Sequence, residues 1–207
     1  MNKGEQTKRE IVEKAAPLFN QKGYEGTSLA DLMKATGLQK GGIYRHFSSK
    51  EKLATEAFDY SWERAVRGRS QGVEEVPDCV NRLKKMIENF VQIKSEVVPG
   101  GCPLMNTAVE ADNGNTVLRA RARKALQSWM TRLSNITAEG IKKRQIDSQV
   151  DPRKLSQLII GSLEGALLIS RLENDDQALR GIRQYLGVHL EQNIRAKGAR
   201  LNRGRIS

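Results

Sequence analysis

The stretch 26-GTSLADLMKATGLQKGGIYRHF-47 decides the fold class of this 207-residue chain. Thr27 or Ser28 is a good N-cap for a short helix with three apolar residues on one side, Leu29, Leu32 and Met33. Gly37 is placed to end that helix after two turns, and a second short helix is predicted over residues 39–47. Two short helices joined by a tight, glycine-containing turn form a helix-turn-helix.

The rest of the chain also reads as helical. A first helix is predicted over residues 6–22, kinked by Pro17 and ended by Gly23. Strand signals are nearly absent, and further helices are predicted over about 50–67, 78–95, 103–112, 115–144, 152–170 and 175–197. The predicted fold is therefore all-α, with a three-helix helix-turn-helix domain at the N-terminus and a larger helical domain after it.

The predicted division of the chain has three parts. Residues 1–50 form the helix-turn-helix domain, residues 51–197 form the second helical domain, and residues 198–207 form a basic tail that we expect to be disordered.

Charge points to a polyanionic partner. Lys and Arg outnumber Asp and Glu by 35 to 24, which gives a formal net charge of +11 and favours double-stranded DNA over a merely basic surface. The polar start MNKGEQTKRE does not resemble a signal peptide, and no apolar run approaches the ~18 residues of a membrane span. No membrane partner is therefore expected. Two cysteines are too few for a disulfide scaffold, so a cytoplasmic location is expected.

The second helix of the pair carries side chains suited to base edges in a major groove. Gln pairs with adenine, and Arg or Lys with guanine, which singles out Gln39, Lys40 and Arg45. The neighbouring Gly41 and Gly42 together cost about 2 kcal/mol of helix propensity. In return they would let the backbone approach DNA without Cβ atoms in the way.

Phosphate contacts are predicted around the same helix. Tyr44 and His46 offer donors to phosphate oxygens, unless Tyr44 is a packing residue and His46 a surface histidine. Lys50, in the first turn of the next helix, combines with free backbone N–H groups to make an anion site. Thr27 and Ser28 are expected to do the same at the start of the preceding helix.

The motifs 18-LFNQKGYEGTSLADLMKATG-37 and 37-GLQKGGIYRHFSSKEKL-53 closely resemble the N-terminal domain of TetR/AcrR-family transcriptional regulators, over about residues 8–56. The resemblance implies phosphate contacts by Tyr44, His46 and Lys50. It also implies that Gln39, Lys40 and Arg45 read the bases. Gly42 departs from the commoner family pattern, which has a side chain there, and this would narrow the set of base contacts. The resemblance also implies that the three N-terminal helices form a DNA-binding domain. The C-terminal helices, residues 51–197, would then be a ligand-binding and dimerisation domain that binds a small effector and forms a homodimer.

Independent hints of pairing lie in 155-LSQLIIGSLEGALLIS-170. Gly161 and Gly165 are four residues apart and would let helices approach closely, while Leu158 and Leu168 add apolar area. A dimer suits a palindromic operator. The alternative is ordinary core packing within one subunit.

The effector pocket is predicted from bulky or adaptable side chains that could line one cavity: Phe58, Trp62, Met86, Phe90, Cys102, Met105, Trp129 and Met130. Plain core packing is the alternative for each of them. No paired carboxylates stand out as a charge anchor, so a neutral, flat, apolar effector is expected.

Cys102 supports a second reading of the regulator. It stands at the start of a short helix, whose positive end would favour thiolate. A redox or electrophile-sensing repressor that acts through Cys102 is therefore the alternative function, against a small turn residue without special reactivity. An all-helical enzyme is the third reading, but the sequence offers no catalytic constellation, no metal-ligand spacing and no cofactor motif.

Overall fold

Helices account for the regular structure of the chain in the computed structural model, which describes residues 2–92, 99–112 and 114–197. They are α1 (Lys3–Gly26), α2 (Leu29–Thr36), α3 (Lys40–Tyr44), α4 (Lys50–Ser70), α5 (Cys79–Gln92), α6 (Pro103–Glu110), α7 (Thr116–Lys142), α8 (Pro152–Glu173) and α9 (Gln177–His189), which continues as one π-helical turn, Leu190–Ile194. The described residues contain no strand, only an isolated antiparallel bridge between Ile146 and Arg195. The predicted all-α fold is confirmed.

Two compact units divide these helices. Unit 1 comprises Met1–Arg67 and Lys94–Leu126, and unit 2 comprises Gly68–Ile93 and Gln127–Ser207. Two of the three boundaries, those after Arg67 and Leu126, fall inside the long helices α4 and α7. The sequence placed its boundary at residue 50, whereas unit 1 extends further because Leu53 and Ala54 of α4 are buried in its apolar clusters. The predicted basic tail, residues 198–207, lies outside the described residues.

Unit 1 is built around an apolar cluster that joins α1 to α4. Its buried members are Ile11, Val12, Ala15, Leu32, Ile43, Phe47 and Leu53, each at most 8% exposed. A second, smaller cluster joins α4 to the segment 111–118 through Ala54, Ala111 and Leu118. The helix-turn-helix and the α6–α7 segment therefore share one unit.

Unit 2 packs α5 against α8 and α9. The end of its described chain is fixed by Arg195, which is 3% exposed and donates from Nη1 and Nη2 to the Asp78 carboxylate at 2.8 and 2.9 Å. Next to it, the Ala196 N–H donates to the Gln145 carbonyl at 3.0 Å, and the Gln145 side chain accepts from the Cys79 N–H at 2.8 Å. The start of α5 and the end of the described chain are thereby joined.

Local signals for helix ends were read correctly at α2 and less well elsewhere. Ser28 is the N-cap of α2, and Gly37 ends that helix in the left-handed region at φ 74°. By contrast, α3 is shorter than predicted, and Gln39 is its N-cap instead of a helical residue. Inside α1 the residue with non-helical backbone angles is Gly23, where the first helix was predicted to end, and the kink at Pro17 stays a prediction.

The capping of α2 yields a stability prediction. The Ser28 hydroxyl accepts from the Asp31 N–H at 3.1 Å, and the Asp31 side chain accepts from the Ser28 N–H at 3.0 Å. We expect Ser28→Ala to lower the free energy of unfolding by about 1 kcal/mol, because one N-terminal amide loses its partner. Urea unfolding followed by circular dichroism measures the change. Ser48→Ala, at an exposed serine that caps no helix, is the control, and an equal loss in both variants would contradict the assignment.

Candidate nucleic-acid interface

Helix α3 is held by one side and exposed on the other. Ile43 and Phe47 are 1% and 2% exposed, and both lie in the unit 1 cluster with residues of α1, α2 and α4. Opposite them, the side chains of Gln39, Lys40 and Arg45 are exposed. With the described residues these three form no side-chain hydrogen bond or ion pair, so their donors are available to a partner.

The start of α2 places its two predicted phosphate-binding residues differently. Ser28 is exposed, and its hydroxyl also donates to Asp31 at 2.7 Å. Thr27 is completely buried, and its hydroxyl donates to the Gly23 carbonyl at 2.6 Å. The expectation that the Thr27 side chain faces DNA is therefore wrong, because that hydroxyl closes the turn between α1 and α2.

Charge around α2 is balanced by an exposed ion pair. Lys22 donates to the Asp31 carboxylate at 2.6 Å, and this bond, followed by those from Ser28, holds the pKa of Asp31 well below its usual range. The Asp31 carboxylate therefore stays ionised through the mildly acidic range, and its contribution to the cap is lost only as the pH falls through its depressed folded-state pKa.

Tyr44, His46 and Lys50 are all half-buried at the edge of this surface. The Lys50 ammonium lies 4.5 Å from the centroid of the Tyr24 ring, in cation–π geometry. Burial, followed by the nearby carboxylates of Glu51 and Glu25, raises the pKa of Tyr24, which keeps its phenol neutral. Tyr24 was not among the predicted site residues, because its neighbour Lys50 is distant in sequence.

Internal packing does not require glycine at either of the two glycine positions of α3. A Cβ built on Gly41 meets no atom within 4 Å, and one on Gly42 meets only the Leu38 side chain, at 3.4 Å. Neither residue has a positive φ. Glycine at position 41 thus lowers helix propensity without relieving any contact inside the protein, which fits a requirement from outside it.

The predicted effector residues are divided between the two units. Phe58, Trp62, Cys102 and Met105 belong to unit 1, whereas Met86, Phe90, Trp129 and Met130 belong to unit 2. In unit 1, Phe58 lines a cavity of about 20 Å³, the size of a single water. That space is too small for an effector, so the prediction that the eight residues line one cavity stays a prediction.

A cationic side chain lies against an aromatic pair in unit 2, which the sequence did not reveal. The Phe90 and Trp129 rings stack with centroids 5.6 Å apart, and both side chains are buried. The Arg69 guanidinium carbon lies 4.7 Å from the Phe90 centroid and 4.1 Å from that of Trp129, and Arg69 is 4% exposed. A buried cation therefore lies against these two rings, and the expectation of a neutral, flat, apolar effector stays a prediction.

Cys102 is the N-cap residue of α6, and its side chain makes no capping hydrogen bond. It is 3% exposed, and neither Cys102 nor Cys79 forms a disulfide. Burial limits the access of an electrophile to the thiol in this conformation, so its reactivity stays a prediction. Among the residues that the structure describes, no group of His, Cys, Asp and Glu side chains could hold a metal ion.

Helices α8 and α9 present an exposed apolar face. Leu158 and Leu168 are 44% and 48% exposed, and a Cβ on Gly161 or Gly165 would meet no atom within 4 Å. This placement disfavours the alternative that the four predicted dimerisation residues serve core packing in one subunit. Four further side chains extend the α8–α9 apolar face, namely Ile169, Leu172, Tyr185 and Val188.

Helix α8 also departs from an expectation about membrane spans. Length and composition alone would allow it to cross a membrane, whereas the sequence was expected to contain no such run. Its buried side, however, includes Ile159 and Leu163, and α8 packs against α9 and α5 within unit 2. These contacts explain much of its apolar character without a membrane.

A helix-turn-helix that presents unpaired Gln, Lys and Arg side chains defines a DNA-binding class of protein. Comparisons with known families agree: residues 11–57 match the family of bacterial regulatory proteins of the tetR type, and residues 79–186 match the tetracyclin repressor-like C-terminal domain. The chain belongs to the TetR family of transcriptional regulators. It is thus a DNA-binding regulator and not an enzyme.

Individual relatives support this assignment. A TetR transcriptional regulator from Chloroflexus aurantiacus is 37% identical, with a TM-score of 0.90 over 95% of this chain and 100% of that one. A TetR-family regulator from Cytophaga hutchinsonii is 34% identical, with a TM-score of 0.89 over 95% and 98%. The HTH-type transcriptional repressor DhaR of Mycobacterium sp. (strain GP1) is 26% identical over 89% of this chain and 90% of its own.

Gly41 provides a test in which stability and DNA binding change in opposite directions. We expect Gly41→Ala to raise the free energy of unfolding by up to about 1 kcal/mol, because alanine favours the helix. The same variant should bind DNA more weakly, because a Cβ would enter the helix surface that faces the groove. Urea unfolding and fluorescence anisotropy measure the two effects.

The control for this test is Gly187→Ala in α9, where a Cβ also meets no atom within 4 Å. It should stabilise the protein without changing DNA affinity. If Gly41→Ala binds DNA as tightly as the control does, Gly41 is not kept for approach to DNA.

Proposed function

We propose that this protein is a homodimeric repressor that binds a palindromic double-stranded operator and leaves it when a small apolar or aromatic effector binds. The observation that carries the proposal is the exposed, unpaired donor set of Gln39, Lys40 and Arg45 on a helix anchored by Ile43 and Phe47. Residues 1–50 would act as the DNA-binding domain, residues 51–197 as the effector and dimerisation domain, and the site of action would be the cytoplasm.

Within this proposal the side chains have separate roles at the DNA. The side chains of Gln39, Lys40 and Arg45 read base edges, because their donors match the major-groove patterns of adenine and guanine. Tyr44, His46 and Lys50 bind phosphates and fix the register, together with the exposed start of α2 at Ser28. Gly41 and Gly42 allow close approach of the backbone.

The α8–α9 apolar face supports the proposed homodimer. Six large apolar side chains in the two helices are between 44% and 78% exposed, which is costly in water unless a partner covers them. A two-fold dimer uses the same face on both copies and matches the symmetry of a palindromic operator. The open space around Gly161 and Gly165 allows two helices to approach each other closely.

Release by an effector would follow from the spacing of two recognition helices. An effector that binds the conformation in which this spacing no longer fits two half-sites shifts the population away from DNA. The aromatic and methionine side chains proposed to line the effector site, Phe90 and Trp129 among them, suit an apolar or aromatic effector. The burial of Cys102 gives the thiol-based alternative less support than the effector route.

Sequence-specific binding is tested on DNA from upstream of the protein's own gene, with scrambled DNA as the comparison. Fluorescence anisotropy across a salt series should give affinity for the upstream DNA about 10³-fold or more above that for scrambled DNA at moderate salt. The combined variant Tyr44→Phe and Lys50→Ala should lower affinity for both DNAs and reduce the salt dependence, because phosphate contacts are lost.

Two results would count against the proposal. Equal affinity for both DNAs, with binding that collapses as salt rises, would leave charge alone as the source of affinity. Full sequence-specific binding by the Tyr44→Phe and Lys50→Ala variant would place the DNA contacts elsewhere on the molecule.

The proposed dimer interface is tested by placing a charge on it. Leu168→Glu should convert the dimer to monomer at micromolar concentration, because a carboxylate would be buried against apolar side chains. Sedimentation velocity measures the change. Val109→Glu is the matched control, since Val109 is also apolar, 74% exposed and helical, but lies in α6. Dissociation in the control, or none in Leu168→Glu, would contradict the assignment of the α8–α9 apolar face.

A further inference from the structure

Glu110, the last residue of α6, binds the helix-turn-helix from outside its sequence motif. Its two carboxylate oxygens accept from consecutive backbone N–H groups, those of Tyr24 at 2.8 Å and Glu25 at 2.9 Å. All three residues belong to unit 1. Hydrogen bonds to an ionised carboxylate are stronger than neutral ones, so this pair of bonds fixes the last turn of α1, which follows the break at Gly23.

The turn is shaped to receive that carboxylate. Gly23 has a φ of 78°, and a Cβ at this position would lie 2.6 Å from Oε1 of Glu110. A side chain here would be strained by the backbone angle and would also displace the carboxylate. The glycine and the acid, 87 positions apart, therefore fit each other.

Fixing this turn also fixes a predicted phosphate contact. Tyr24, whose N–H is bound by Glu110, stacks on Phe19 with ring centroids 6.4 Å apart. The Tyr24 ring also contacts Lys50, whose ammonium lies 4.5 Å from the ring centroid. A path of direct contacts thus leads from the Glu110 carboxylate through Tyr24 to the ammonium of Lys50.

A second set of hydrogen bonds keeps α6 in place against α1. Asn106 donates to the Asn20 carbonyl at 2.9 Å and to the Gly100 carbonyl at 2.9 Å. Asn20 in turn donates to the carbonyls of Pro99 at 2.6 Å and Gly101 at 3.0 Å. These bonds hold α6 against α1, so the helix that carries Glu110 is fixed in position.

We propose that Glu110 is a positioning residue for DNA binding, which holds Tyr24 in place and through its ring orients the ammonium of Lys50 toward a phosphate. The proposal rests on the proposed function, in which Lys50 contacts DNA. Glu110 itself does not touch DNA in this assignment. Its negative charge, taken alone, repels a polyanion, so a positioning role and a purely electrostatic role predict opposite effects of removing the charge.

The opposite signs make the experiment decisive. Glu110→Gln and Asp112→Asn each remove one negative charge, two positions apart. Within the described part of the chain, however, Asp112 forms only a 3.6 Å ion pair with Arg119, and both of these side chains are more than 60% exposed. Affinity for the upstream DNA is measured by anisotropy at fixed salt. We expect Asp112→Asn to bind as tightly as the wild type or slightly more tightly, and Glu110→Gln to bind roughly tenfold more weakly. Equal or tighter binding by Glu110→Gln overturns the proposal.

Two further variants separate positioning from loss of folding. Glu110→Asp keeps the charge but draws the carboxylate back from the turn, and it should also weaken binding while circular dichroism confirms a folded protein. In the double variant Glu110→Gln, Lys50→Ala, the affinity should be no lower than in Lys50→Ala alone, because both changes act on one contact. Additive losses would overturn the proposed path through Lys50.

The design also separates this proposal from the one it rests on. If Lys50→Ala leaves DNA binding unchanged, or the wild type does not distinguish upstream from scrambled DNA, the proposed function fails. If both behave as proposed and Glu110→Gln still matches Asp112→Asn, only the positioning role of Glu110 is overturned.

Discussion

Burial of Ile43 and Phe47 is the constraint on which the DNA-binding surface depends. Helix α3 has five residues, and a helix this short is not stable in water by itself because nucleation costs more than a few hydrogen bonds return. Two glycines weaken it further. Its conformation and direction are therefore set by two apolar side chains that insert between α1, α2 and α4. Each residue on the outer side inherits its orientation from that packing.

Side-chain hydrogen bonds fix the ends of the neighbouring helices. Ser28 and Asp31 cap α2 reciprocally, Gly37 ends it, and the buried Thr27 hydroxyl ties the preceding turn to the Gly23 carbonyl. Polar side chains at these helix ends are thus hydrogen-bonded to backbone groups. By contrast, the polar side chains of α3 have no such partner among the described residues. This contrast, more than the overall charge, distinguishes the surface that can bind a partner from the surface that stabilises the fold.

What the sequence predicted well is local. The N-cap at Ser28, the end of α2 at Gly37 and the all-α fold follow from residue types within a few positions of each other. The short extent of α3 was missed because Phe47 continues the apolar spacing of a helix, although the chain beyond Tyr44 only turns. Gly23, which was predicted to end the first helix, is where the backbone of α1 leaves helical angles.

What the sequence could not predict depends on contacts between distant positions. Nothing near Arg69 in the sequence reveals that its guanidinium stacks on Phe90 and Trp129. Nothing near Glu110 reveals that its carboxylate binds the backbone of Tyr24 and Glu25. The burial of Thr27 is of the same kind, because its hydroxyl suits a helix cap and is used elsewhere. Such pairings become visible only when the helices are placed in space.

The interleaved make-up of the two units has a consequence for synthesis of the protein. Unit 1 needs residues up to Leu126, and unit 2 is fixed at Arg195, whose partner Asp78 precedes it by 117 positions. The helix-turn-helix leaves the ribosome first, yet the segment that completes its unit follows only after the start of unit 2 has been made. The apolar helix faces of unit 1 therefore find all their partners only once the chain has been made as far as Leu126, and those of unit 2 only once Arg195 has followed.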